Sequence, residues 1–361
     1  MSISQTKMEN NINGNLPTVS ILIATLNSAN VLEKCLNSIS KQNYPRERME
    51  IIIADGGSTD NTLEIAKKYD AKIFMNPLKT GEAGKAVALK HSKNELIVLI
   101  DSDNLIISND WLLKMVQPFS DPEIIGSEPW EFDYRKEDGF IDRYCAMMGM
   151  NDPLCYFFGN YDKKSILSGK WTNLPIKQED RGDWIKICLV PKNIPTVGAN
   201  GTLFRKKLLL SKSGNNSPIE LSDLVKDYLF DIDMIAKLAQ EKPVSFAKVK
   251  IGITHLFCGS SVKKFIRKQR RRVSDYIYYN KLNIRKYPWQ NQNKLGLLKF
   301  ILSCVTVFPL IFQSIKGYLR KPDIAWFFHP LACLLTFWVY SLFKIASIFK
   351  IREVNREGWK Q

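Results

Sequence analysis

From Pro17 to about Pro118 the apolar positions switch repeatedly between two spacings, and each switch marks a change of element. "TVSILIAT" at 18–25 is a short apolar run of strand length. "SANVLEKCLNSISKQ" at 28–42 follows with Val31, Leu32, Cys35, Leu36 and Ile39 at helical spacing. "MEIIIADGGS" at 49–58 reads as a second strand ending in a Gly turn, and "STDNTLEIAKKY" at 58–69 as a helix capped by Ser58 or Thr59. "AKIFMN", "GEAGKAVALKHS" and "LIVLID" then continue as strand, helix and strand up to Asp101. Alternation of this kind predicts an α/β fold, a mostly parallel sheet with helices on both faces, whose ligands bind beyond the carboxyl ends of the strands. Asp55 and Asp101 stand at two such ends.

Residues 119–255 are less regular, with many aromatics and the strand-like pieces "PTVGANGTLFR" and "SFAKVKIGITHL"; they read as the other half of the same domain. The aromatic tract at 144–161 fits either core or an acceptor vestibule. After it "KKFIRKQRRR" at 263–272 places seven basic residues in ten, followed by the aromatic "DYIYYNK". Two apolar stretches, 295–315 and 324–349, are each long enough to cross a hydrocarbon core of roughly 30 Å. Lys299, Pro309, His329 and Lys344 interrupt them, and the basic loop between them and the basic flanks on both sides cannot all lie on the cytoplasmic face if both helices span. The expected organisation is a flexible N-terminus at 1–16, a catalytic domain at 17–260, a basic juxtamembrane segment at 261–293, two membrane-associated helices at 294–350 and a polar tail at 351–361.

Charge narrows the partners. With 52 Lys and Arg against 36 Asp and Glu in 361 residues the net charge is +16, which favours an anionic partner: a phosphorylated substrate, an acidic membrane surface or nucleic acid. The seven cysteines are scattered without a C-x-x-C pair, which points to a reducing compartment. The polar, Asn-rich start has no apolar signal core, so the catalytic domain is expected on the cytoplasmic side of the membrane.

The most informative chemistry is "LIVLIDSDN" at 96–104, where a buried strand ends in Asp101 and Asp103. Paired carboxylates at such a place suit a divalent cation held against a diphosphate, since magnesium takes one or two carboxylates plus phosphate oxygens and waters. The same pair also suits a simple turn. "TGEAGKA" at 80–86 invites a phosphate-loop reading, but Ala86 stands where that motif needs a hydroxyl.

"VSILIATLN" at 19–27, "IIIADGGSTDNT" at 51–62, "GKAVALKH" at 84–91 and "LIVLIDSDN" occur in that order, and with them the chain resembles the family 2 glycosyltransferases over roughly residues 17–275. The resemblance implies a GT-A fold and inverting transfer from a nucleotide-diphospho-sugar, with Mg²⁺ or Mn²⁺ as cofactor. It implies that Thr25 and Asn27 line the nucleotide pocket, that Asp55 contacts the base or ribose, that Asp101 assists at the ribose, and that Lys85 approaches the donor phosphates. Asp103 would hold the metal, with His255 as a late ligand to metal or diphosphate. Asp231 would be the general base, with Phe230 where the family has Glu; Asp233 reads as charge at a helix N-terminus. Asn200 and Gly201 match a small-residue turn where the acceptor approaches. Gln269 and Arg272 match the family's Q-x-x-R-W element, with Val273 in place of Trp, which argues for transfer of a single sugar over processive synthesis.

The expected function is therefore a membrane-anchored, metal-dependent transferase acting on a hydroxyl of a lipid-linked or cell-envelope glycan. A polyprenyl-phosphate acceptor is the alternative within the class. A basic nucleic-acid-binding protein or a scaffold is the alternative outside it, and acidic strand ends beside two membrane-length segments argue against nucleic acid as the partner.

Overall fold

A computed structural model describes residues 16–210, 228–282, 285–287 and 293–349. The elements in chain order are β1 (Val19–Thr25), α1 (Ala29–Ser40), β2 (Met49–Asp55), α2 (Thr62–Lys68), β3 (Lys72–Met75), α3 (Gly81–His91), β4 (Leu96–Leu99) and β5 (Asn104–Leu105). Then come α4 (Trp111–Val116), β6 (Ile124–Phe132), α5 (Phe140–Met148), α6 (Leu154–Phe158), β7 (Lys177–Asp180), β8 (Trp184–Leu189), β9 (Thr202–Arg205) and α7 (Lys206–Leu210). The last group is α8 (Asp231–Glu241), β10 (Val244–His255), α9 (Val262–Lys281), α10 (Lys294–Thr306), α11 (Phe308–Arg320), a 3₁₀ turn (Ile324–Phe328) and α12 (His329–Phe349). The expected flexible N-terminus, apart from Leu16, and the expected polar tail lie outside the described residues.

The sheet runs β3-β2-β1-β4-β9-β6-β10-β8-β7, with β5 paired to the end of β10. Its first half is parallel, as the alternation predicts. Its second half is not: β9 enters antiparallel between β4 and β6, β8 and β7 follow antiparallel, and only β6 and β10 add a parallel pair. The sheet is thus mixed, where the sequence suggested mostly parallel. Alternation along β1 explains the two helical layers. Ile21 and Ile23 pack with Leu32, Cys35, Leu36 and Ile39 of α1 on one side, and Leu22 packs with Ile52, Ala86 and Leu89 on the other. Gly84 is what lets α3 lie this close: a Cβ there would stand 2.6 Å from the Cβ of Ala24 on β1.

Capping differs from expectation at α2. Its N-cap is Asn61, because the Ser58 and Thr59 hydroxyls are spent elsewhere, on Asp55 (2.6 Å) and Asn27 (3.3 Å).

Asp233 is also reassigned. It sits on the first turn of α8, but it is buried and anchors a distant segment: Oδ2 accepts from Arg285 Nε (2.7 Å) and Nη2 (2.6 Å), and Oδ1 accepts from the backbone N–H groups of Lys286 and Tyr287. Asp233→Ala would remove one buried carboxylate acceptor shared by the half-buried guanidinium and two N–H groups. The expected cost is about 3–5 kcal/mol of stability, read as a shift of the denaturant midpoint at unchanged slope.

Toward the C-terminus, among the described residues, one helix, Ile324–Ser347, is long and apolar enough to cross a membrane. The first apolar stretch is not a second straight helix. α10 and α11 meet at 95°, with Val307 in the left-handed region (φ 62°) and Pro309 in the first turn of α11.

Candidate active site

Beyond the carboxyl ends of β1 and β4 lies a cleft of about 210 Å³, walled by Thr25, Asn76, Thr80 and Lys85 on one side, Asp101 and Asp103 at its floor, and His255, Lys268, Arg271, Arg272 and Asp275 opposite. Each wall has a local cause. α3 is capped by Thr80, whose Oγ1 accepts from Ala83 N–H (3.0 Å), and this places Lys85 one turn further on. The acidic floor is a tight turn in which Asn104 Oδ1 accepts from Asp101 N–H (3.0 Å) while Asp101 C=O accepts from Asn104 N–H (2.9 Å).

The opposite wall is one face of α9. Lys268, Arg271, Arg272 and Asp275 recur at helical spacing and all line the cleft. Phe265, Gln269 and Val273, four apart, form the buried face. Lys263, Lys264, Arg267 and Arg270 form a third, lining a separate basic cleft with Phe343 of α12.

Asp103 is flanked by two basic groups. Lys268 Nζ lies 3.0 Å from Oδ2 and His255 Nε2 3.4 Å from Oδ1. Burial works against its ionisation, but the Lys268 ammonium and His255 outweigh it and hold the carboxyl well below the usual range. His255 Nδ1 meets Asn151 Nδ2 at 3.1 Å, and the Asn151 carbonyl accepts from Gln269 Nε2 (2.9 Å), so Asn151 ties the imidazole to α9.

Lys85 Nζ stands 3.8 Å from Asp231 Oδ2. Burial works against the Lys85 charge, yet Asp231 and Asp101 hold its pKa above the usual amine range. Burial raises the Asp231 carboxyl above the ordinary carboxylate range, and the pull of Lys85 does not cancel it. Asp231 Oδ2 is buried without a hydrogen bond. Asp231 therefore sits behind Lys85 and, unlike Lys85, is not among the residues that line the cleft.

The structure brings Thr25, Lys85, Asp101, Asp103, Asn200, His255 and Arg272 to one cleft. Four candidates behave differently. Asp55 is buried and fully engaged in its own turn, Oδ1 accepting from Thr25 Oγ1 (2.8 Å) and Ser58 Oγ, and Oδ2 from Gly57 N–H (2.9 Å) and Ser58 N–H (2.7 Å). Asn27 is buried beside it with φ 51°, its Oδ1 accepting from Thr59 N–H (2.8 Å), and shapes that turn. Gly201 does not offer its backbone to an acceptor: it is buried with φ +79°, and a Cβ there would stand 2.7 Å from Trp111, so its role is turn and packing. Gln269 is buried on the inner face of α9, where its Oε1 accepts from Arg272 Nη1 (2.5 Å) and Tyr340 Oη (3.2 Å); it holds Arg272 and is not an acceptor-facing group.

Sequence reasoning offered Arg271 only as part of the basic stretch Arg270 to Arg272, and missed Lys268, Asp275 and Asn151. Lys268 and Asp275 were findable, because they share a helical face with Arg272, Asp275 just beyond the basic run; Asn151 carries no sequence signal. The aromatic tract divides: Tyr144, Met147, Met148 and Tyr161 are core. Tyr156, Phe157 and Phe158 line a second cavity of about 910 Å³ with Asn160, Asn173, Gln240 and Tyr287. All seven cysteines are free.

Residues 20–172 match the family model of Glycosyl transferase family 2. These residues belong to that family. The poly(ribitol-phosphate) beta-N-acetylglucosaminyltransferase TarS of Staphylococcus aureus is 35% identical over 108 residues, 28% of this chain and 18% of that protein. The glycosyltransferase AglE of Haloferax volcanii is 28% identical over 143 residues, 37% of this chain and 46% of that protein. A Methanococcus voltae dolichyl N-acetyl-alpha-D-glucosaminyl phosphate 3-beta-D-2,3-diacetamido-2,3-dideoxy-beta-D-glucuronosyltransferase is 38% identical over 91 residues, 25% of this chain and 27% of that protein. The chain thus spans less than half the length of these relatives. Among solved structures, the mannosyltransferase PcManGT of Pyrobaculum calidifontis, in complex with GDP-Man and Mn²⁺, superposes with a TM-score of 0.47 at 15% identity, covering 92% of this chain and 89% of that one.

Proposed function

We propose that the protein is a membrane-associated, inverting glycosyltransferase that moves a single sugar from a nucleotide-diphospho-sugar to a hydroxyl of a lipid-linked or cell-envelope glycan. The reading takes residues 17–260 as the catalytic domain, 261–293 as a basic juxtamembrane segment and 294–350 as the membrane-associated part, with the catalytic domain on the cytoplasmic side. The observation that carries it is one cleft pairing an acidic floor, Asp101 and Asp103, with cationic walls, Lys85, Lys268, Arg271 and Arg272. Cations on both sides suit the two phosphates of a sugar nucleotide, and the nucleoside would lie along Thr25.

Among the described residues no cluster of three or more His, Cys, Asp or Glu side chains forms a ready-made metal site. The donors present still fit Mg²⁺ or Mn²⁺, which are commonly bound by one or two protein groups plus substrate phosphates and waters. Asp103 and His255 would hold the ion, with Lys268 giving up its place on Asp103. When bound, the ion would neutralise charge on the departing diphosphate. Asp231 would accept the acceptor's proton, with Lys85, 3.8 Å away, favouring its charged form. Asn200, whose Oδ1 accepts from Asn104 Nδ2 (3.0 Å), would present the acceptor side of the cleft. The aromatic and amide-lined second cavity is the proposed route for the rest of the acceptor.

A polyprenyl-phosphate acceptor is the second reading, favoured by the basic cleft between α9 and α12, which shares Arg271 with the donor cleft.

The deciding experiment is a thermal-shift panel of nucleotide sugars with and without Mn²⁺. The true donor at 100 times its dissociation constant is expected to stabilise the chain by about 2.7 kcal/mol, with Mn²⁺ increasing the shift. No response to any nucleotide sugar would remove the reading. A pH profile tests the base: it must be ionised to work, so the rate should fall as pH drops through its pKa, and that acid limb should lie above the ordinary carboxylate value near about 4.

A further inference from the structure

Membrane association, as proposed above, leaves open how the C-terminal helices meet the bilayer. A crossing helix needs lipid around it for about 30 Å. α12 does not have that freedom, because one side of it is covered by the catalytic domain along most of its length. Just before the 3₁₀ turn that leads into it, Asp323 is held by Arg143 (2.9 Å) and by Tyr134 Oη (2.6 Å). At its first residue, His329 Nδ1 meets Tyr144 Oη at 2.8 Å. Three turns later Tyr340 Oη donates to Asp152 Oδ2 (2.6 Å). These partners belong to a charged, water-soluble fold, so placing α12 across hydrocarbon would drag them in with it, at a prohibitive desolvation cost.

The opposite side of α12 is bare and apolar. Phe327, Leu331, Trp338, Leu342 and Ile345 are exposed at intervals of four, seven, four and three residues, which is one helical stripe. α10 and α11, which pack on α12 and on each other, continue the theme. Leu298, Leu302 and Val305 on α10, then Phe308, Phe312 and Leu319 on α11, are exposed at similar spacing, Phe308 at 80% and Leu319 at 76%. Three contacting helices with bare apolar stripes exceed what a soluble monomer normally leaves in water. The charge beside the stripes has one sign: residues 294–349 hold Lys294, Lys299, Lys316, Arg320, Lys321 and Lys344 against a single acid, Asp323, which is already paired. The outward face of α9 adds Lys263, Lys264, Arg267 and Arg270 next to α12.

We infer that α10, α11 and α12 lie flat in one leaflet of an anionic bilayer as a monotopic foot, with their bare stripes among the acyl chains and the flanking Lys and Arg on acidic headgroups. The 95° bend then has a purpose, since it turns a stretch long enough to span into two short helices that follow the surface. It also removes the conflict of basic flanks and loop, because all of them stay on the catalytic side.

The test floats the full chain with sealed vesicles of phosphatidylcholine alone or with added phosphatidylglycerol. Binding is expected to be at least tenfold stronger with phosphatidylglycerol. It should fall roughly fivefold or more for each of Lys263→Glu and Arg270→Glu. Phe312→Glu with Leu342→Glu should abolish it while the thermal unfolding transition is kept. Single cysteines at Lys316 and Lys344, followed above the background of the native thiols, should both react with a membrane-impermeant maleimide from the catalytic side. Protection of either until detergent is added would overturn the flat arrangement and leave membrane association standing. Equal binding to neutral vesicles would overturn the headgroup part. A chain that floats with no vesicle, whether monomeric or dimerised through the stripes, would overturn membrane association itself.

Discussion

Asp231→Asn is expected to lower sugar transfer by about 10²- to 10⁴-fold while leaving donor affinity unchanged or tighter. The loss follows from the chemistry: an acceptor hydroxyl must shed its proton as the new glycosidic bond forms, and Asp231 is the acid next to Lys85 of the cleft whose burial keeps its proton affinity high. The effect on donor binding follows from Lys85, which lies 3.8 Å from Asp231 and loses a competing partner when that charge is removed, so more of its field falls on the diphosphate. Steady-state rates would separate the two effects, because a group acting only in the transition state lowers kcat and kcat/KM together. Asp233→Asn is the informative neighbour. It should cost stability, through Arg285, before it costs chemistry. Undiminished transfer by Asp231→Asn would remove the base assignment and move the polyprenyl-phosphate reading into first place, since a phosphate acceptor is already an anion.

Asp103→Ala is expected to abolish the metal-dependent part of donor binding, as measured by calorimetry with and without Mn²⁺. Asp103 is the one carboxylate assigned to the ion, and the remaining His255 cannot hold a hard divalent cation alone. The substitution also frees Lys268, 3.0 Å away, whose ammonium then faces the diphosphate unopposed. The expected result is therefore a specific one: weaker, metal-independent donor binding that becomes more sensitive to salt, and not simple loss of binding. Lys268→Ala is the matched control and should strengthen metal binding, because the ion no longer competes with a resident cation. Unchanged metal-dependent affinity in Asp103→Ala would falsify the metal assignment.

Much of the cleft was legible because its parts are local. A strand followed by an acid is a two-residue event, and "LIVLIDSD" places Asp101 and Asp103 beyond a buried strand whatever the rest of the chain does. Lys85 came from the family resemblance, and the structure supplies its local cause: Thr80 caps the helix, and helix geometry then sets which side chain faces the strand ends. Faces were harder. Gln269 and Arg272 sit in one short motif, yet three residues of helical rotation send one into the core and the other into the cleft. Gly201 failed as an acceptor-approach residue because its partner is Trp111, far away in the chain, and only packing shows that the space beside it is filled. Asp233 looked like helix-end charge because its true ligands, Arg285 and the N–H groups after it, come from a segment more than 50 residues later.

The sequence by itself determined the alternation of strands and helices from Pro17 to Pro118, the acids at the strand ends, the basic run and the apolar composition of the C-terminus, because each depends only on periodicity and residue type over one element. Tertiary structure alone decided the antiparallel entry of β9, the compensation of Asp103 by a lysine 165 positions away, and the seating of α12 against Arg143, Tyr144 and Asp152. The physical reason is the same in each case. Pairing partners and charge partners in these cases lie far apart in the chain, and hydrophobic pattern states that a face must be covered without stating by what: protein on one side of α12, and on the other a surface that composition cannot distinguish from a second layer of core.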